Sequence, residues 1–104
     1  GRLAGAGMRE ITQGDIRAAA RVVLAHPQDQ WQGVMQQMLY QAHCADCCRK
    51  ALGAVHPRLG NGTLMSVALA RQPAPEPLPS DQDYLVAIQA VIAAVLDWRA
   101  ARQR

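Results

Sequence analysis

The stretch from Gln28 to Gly53, QDQWQGVMQQMLYQAHCADCCRKALG, constrains this chain more than any other part of it. On a 3.6-residue period, Trp31, Val34, Met35, Met38, Leu39, Ala42, Ala45 and Leu52 fall on one stripe. Gln30, Gln36, Gln37 and Gln41 take much of the remaining surface of its first half. The pattern predicts one long amphipathic helix, roughly 35–40 Å at about 1.5 Å per residue, close to the full width of a small domain. Its second half adds a weakly apolar face of Tyr40, Cys44, Cys47, Cys48, Ala51 and Val55. A helix apolar on two sides needs neighbours on both, in its own chain or another. This is the expected central helix of an all-α fold.

Local signals divide the rest. Thr12 with Asp15 forms a capping-box-like start for a helix over about 13–25, carried by Ile16, Ala19, Ala20, Val23 and Leu24. His26-Pro27 ends it, because the residue before proline is pushed out of helical space. The turn to the central helix (28–53) is so short that the two helices are expected to pack as an antiparallel or sharply angled hairpin. Gly53 and His56-Pro57 stop the central helix, and Asn61 or Thr63 starts a third over 63–71. Pro73, Pro75, Pro77 and Pro79 make 72–80 an extended, stiff connector at about 3.1 Å per residue. No PxxP spacing occurs in it, so it does not read as an SH3 ligand. Ser80 with Asp83 begins the last helix, 81–101. From Tyr84 to Leu96 its one strongly polar residue is Gln89, so it is expected to be buried centrally or shared with a second subunit. That apolar run is too short to cross a membrane. The prediction is a small four-helix, all-α domain over residues 8–104, with residues 1–7 set aside as an expression remnant or disordered N-terminus and Met8 as the native start.

Composition narrows the function classes. The chain has 104 residues, 50% hydrophobic, enough to bury a core without disulfides or metal. Phe is absent and alanine abundant, which favours helix over strand. Lys50 is the one lysine among eleven basic residues, a usage that resembles that of a GC-rich bacterium. The formal charge is +3, and the arginines are scattered except for Arg99, Arg102 and Arg104, which suit the negative end of a helix macrodipole. Basic residues and aromatics are not interleaved, and the third helix offers no Arg, Asn or Gln to read bases, so no nucleic-acid partner is expected. Three cysteines, two of them adjacent, do not resemble a secreted disulfide framework. With neither a signal peptide nor about 20 consecutive apolar residues, a cytoplasmic protein without membrane partners is expected.

Three constellations carry candidate chemistry. His43, Cys44, Cys47 and Cys48 offer soft ligands one turn apart, suited to zinc or to thiol redox chemistry. No second ligand pair completes a tetrahedron, however, and the CxxC lies mid-helix rather than at a helix N-terminus after a strand. Packing as small apolar side chains is the simpler reading of the cysteines. Arg58, Gly60, Asn61, Gly62 and Thr63 could present backbone N–H groups to an anion ahead of a helix, but the strand and GK[ST] ending of a phosphate loop are missing. Finally, Tyr40, Cys44 and Cys48 with Tyr84, Ile88, Val91, Val95 and Trp98 make a candidate protein interface, within a homodimer or with another protein. Nothing supplies an oxyanion hole or a substrate pocket, so the expected role is a non-enzymatic interaction module with no cofactor. A metal-binding or thiol-redox protein is the alternative.

Asp15 to Ala20, Ala45-Asp46, HPRLGNGTLM from His56 to Met65, and Asp83-Tyr84-Leu85 together resemble a family of short, uncharacterised all-helical proteins from alphaproteobacteria. The resemblance spans most of Met8 to Ala100 and implies a small cytoplasmic helical protein, without implying an activity. The cysteines lie outside the pattern. The HPRLGNGT loop lies within it, which makes that loop the better candidate for any function shared across the family.

Overall fold

The computed structural model describes residues 10–53 and 61–102, which are mostly helical with no strand among them. Their order is α1 (Gln13–Leu24), a 3-10 turn (Gln28–Gln30), α2 (Trp31–Leu52), α3 (Leu64–Ala70) and α4 (Gln82–Arg102). A small all-α, four-helix architecture is therefore what the periodicity builds.

Helix α1 starts on a closed capping box. The Asp15 N–H donates to Thr12 Oγ1 at 3.2 Å, and the Thr12 N–H donates to Asp15 Oδ2 at 2.8 Å. Ala18, Ala19, Ala20, Val22 and Val23 are all buried, so α1 is enclosed almost all round. It packs chiefly on α4 and α3, and only slightly on α2. The expected hairpin of the first two helices is therefore not the main contact, and α1 rather than the longer α2 is the enclosed element. Alanines let neighbouring helices approach α1 closely, whereas α2 turns a glutamine-bearing face outward.

Helix α2 buries Trp31, Met35, Met38, Leu39, Ala42 and Ala45 along the expected stripe. The Trp31 indole N–H donates to the His26 carbonyl at 3.0 Å and ties its start to the end of α1. Gly53, left-handed at φ 67°, closes the other end. Leu52 departs from the stripe and is 74% exposed, because the last turn of α2 runs past the core.

Helix α3 is capped by Thr63, whose hydroxyl accepts from the Ser66 N–H at 3.1 Å. The connector is pinned to α1 by a reciprocal pair: Ala74 N–H donates to the Arg21 carbonyl at 3.0 Å, and Arg21 Nε donates to the Ala74 carbonyl at 2.7 Å. Asp81, not Ser80, caps α4, accepting the Tyr84 N–H at 3.1 Å. Among the described residues, α3 and α4 each pack on α1 and α2 and do not approach one another closely.

Helix α4 is not buried all round. Tyr84, Ala87, Val91 and Val95 face the core, leaving an 18-residue apolar window only 22% buried. α4 has 21 residues and that window has a mean hydropathy of 1.5, so by length and composition alone it is long and apolar enough to cross a membrane, which corrects the argument from its shorter apolar run. Its inner face nevertheless completes the common core with Ala19, Val23, Met38, Leu64 and Val67. The molecule measures 40 × 30 × 22 Å.

Candidate functional site

Asp15, Asp46, Gly62 and Met65, from three of the four stretches behind the family resemblance, lie where α1, α2 and α3 meet. Asp15 is buried, and its second oxygen accepts the Met65 N–H at 2.8 Å, so one carboxylate caps α1 and α3 together. Both helix N-termini carry partial positive charge, which favours an anion at that point. Gly62, at φ 94°, lies against α2 so closely that a Cβ there would sit 2.7 Å from the Asp46 Cα. Asp46 is itself fully buried on α2, paired through Oδ1 with Arg49 at 3.1 Å and through Oδ2 with Lys50 at 2.9 Å. At the start of α4, the Tyr84 hydroxyl donates to Glu76 of the connector at 3.1 Å. Burial first, then that hydrogen bond, pushes the Tyr84 phenol above its ordinary 10.0. These residues hold helices together.

That geometry bears on the anion loop. Arg58 and Gly60 lie outside the described residues. Of the remainder, the Thr63 N–H already donates to Asn61 Oδ1 at 3.0 Å, and the Ser66 and Met65 N–H groups are taken by Thr63 and Asp15. Gly62 is buried against α2. The Thr63, Met65 and Ser66 N–H groups at the start of α3 are thus satisfied from within the chain.

The cysteine cluster sits on the outer side of α2. Cys44, Cys47 and Cys48 are free, with Cys47 exposed and the other two half-buried. His43 Nε2 is 3.7 Å from Cys47 Sγ, and the His43 ring meets Trp98 edge-on at 6.1 Å. Arg102, one turn further along α4, covers the Trp98 ring at 4.2 Å, a cation–π contact within that helix. Burial first, with the Arg102 charge second, pulls the His43 imidazole below its ordinary 6.5. Hydrogen bonding with Cys44 raises the Tyr40 phenol above its ordinary 10.0. Among the described residues, no three His, Cys, Asp or Glu side chains group where they could hold a metal ion. The four expected ligands therefore yield a His43–Cys47 contact but no zinc cage.

The expected interface residues divide by burial. Tyr84, Val91 and Val95 point into the chain's own core, while Ile88 and Trp98 pack at its edge, so this set is not an outer face. The outward apolar residues of α4 are instead Leu85 (51% exposed), Ile92 (42%) and Leu96 (62%). Tyr40 is exposed, with half-buried Cys44 and Cys48 beside it on α2. Between α2 and α4 lies an open groove of two adjoining hollows, about 290 and 350 Å³. Trp31, Met35, Leu39, Ala90 and Ala94 form its floor, with Gln32, Gln36 and Asp97 along the rim. Sequence reasoning missed the outer row, although Leu85, Gln89, Ile92 and Leu96 repeat at four, three and four residues.

The chain belongs to the family described as a domain of unknown function, DUF7742, whose profile matches residues 9–95. Every stretch that carries the resemblance falls inside that match. No curated protein and no solved structure matches the chain.

Proposed function

We propose that this member of the family is a non-enzymatic interaction module that self-associates through the outer face of α4. The observation that carries the reading is the exposed row of Leu85, Ile92 and Leu96 on a helix whose inner face is already committed to the core. Helical rows of this kind are ordinarily covered by another protein surface, and a two-fold contact between copies is the commonest cover. Leu78, exposed in the connector just before α4, extends the same apolar character. The bonded Thr63 and Met65 N–H groups give the anion-loop reading less support, and the lack of a three-ligand group among the described residues gives metal binding less support. The three free thiols suit a cytoplasmic setting.

Sedimentation velocity across micromolar concentrations tests the reading. Wild-type chain should sediment as a dimer that dissociates on dilution. Leu96→Asp should sediment as a monomer with unchanged circular dichroism, since Leu96 is exposed. A wild-type chain that stays monomeric throughout would overturn self-association.

A further inference from the structure

We infer that the two copies pair α4 against α4 in antiparallel orientation, with Leu85 of one packed on the partner's Leu96. The inference rests on the self-association proposed above and specifies its geometry. Leu85, Gln89, Ile92, Leu96 and Arg99 follow the four-three spacing of a two-helix seam, and all five are exposed. Two orientations would bury this row. A parallel pair stacks each residue on its own copy, setting Arg99 beside the partner's Arg99, Gln89 beside the partner's Gln89, and like ends of two macrodipoles together. An antiparallel pair centred between Gln89 and Ile92 forms four layers: Leu85 on the partner's Leu96, Gln89 on the partner's Ile92, and the two-fold repeats of each.

Charge decides between them. In the antiparallel register Arg99 meets the first turn of the partner's α4, where Asp81 is exposed. Asp81 is exposed and spends Oδ1 on the Tyr84 N–H, so its carboxylate keeps a second oxygen to accept from a guanidinium. The two-fold axis makes this contact twice. The acidic start of each helix thereby covers the basic end of the other, and the macrodipoles oppose.

The test uses the full native chain, mixed one to one as methyl-labelled and unlabelled protein, in an isotope-filtered NOE experiment. Leu85 and Leu96 of one helix are about 16 Å apart along its axis, so a cross-peak between their methyl groups must come from two chains. Leu85-to-Leu96 cross-peaks are expected. Arg99→Glu should weaken the dimer about two- to tenfold at low salt, with the difference shrinking at high salt. Labelled Leu85 contacting unlabelled Leu85, or a dimer without α4 cross-peaks, would overturn the antiparallel seam while leaving self-association standing. A monomeric wild-type chain would remove both.

Discussion

Single residues in this chain are tested most sharply by two glycines that share a left-handed conformation and differ in surroundings. Gly53, at φ 67°, has nothing among the described residues within 4 Å of where a Cβ would stand, so Gly53→Ala bears only the backbone cost, about 1 kcal/mol. Gly62, at φ 94°, meets the Asp46 Cα, Cβ and N of α2 at 2.7 to 3.0 Å, atoms that cannot swing aside. Gly62→Ala must strain its backbone and push the α3 end away from α2, a loss of about 2–4 kcal/mol in urea unfolding. Equal losses at the two positions would mean that the Gly62 contact is not tight. Titration gives a second residue-scale prediction. Burial holds His43 below its ordinary 6.5, so the fold prefers the neutral ring. The unfolded chain then binds more protons than the native state as pH falls through 6.5 toward the lowered native value. The stability contributed by His43 is complete above that window and lost below it. Urea midpoints from pH 7 to pH 4.5 should fall less steeply in His43→Gln than in wild type, and parallel curves would show that His43 is not the titrating group.

Among the elements, α1 and α4 mark the two ends of what the sequence makes legible. The start of α1 is a local statement: Thr12 and Asp15 are three residues apart and the capping box closes between them. Gly53 and Thr63 likewise act within a turn of their own positions, which is why helix type and order are readable from the chain alone. The orientation of α4 is not readable in this way. Apolar residues surround it from Tyr84 to Leu96, so periodicity has no contrast with which to tell inner from outer face. Neighbouring residues therefore give the test. Val91→Ala removes buried methyl groups and should cost about 1–3 kcal/mol in thermal or urea unfolding. Ile92→Ala, one residue on and half exposed, should change monomer stability by less than about 0.5 kcal/mol while weakening the dimer. Reversed sensitivities would place the inner face one residue away.

For the molecule as a whole, adjacency in sequence proves a poor guide to adjacency in space. α1 and α2 are joined by a short turn yet barely pack, while α1 reaches α3 and α4 far along the chain. The candidate sites divide by the same rule. The cysteine cluster is visible in sequence because its members are neighbours, but nothing distant joins them to complete a ligand set among the described residues. The carboxylate that caps two helices is only half visible, because its second partner, Met65, lies 50 residues away. That separation has a kinetic corollary. The Met65 N–H sits in the first turn of a seven-residue helix, where the helix offers it no acceptor, so Asp15 alone shields it from solvent. Its deuterium uptake should match that of the slow Val22 and Val23 amides of α1 and outlast that of Ala70, whose protection ends when α3 frays. Uptake at Met65 as fast as at Ala70 would mean that α3 leaves α1 on its own. Slow uptake makes this one amide a clock for the parting of α1 and α3.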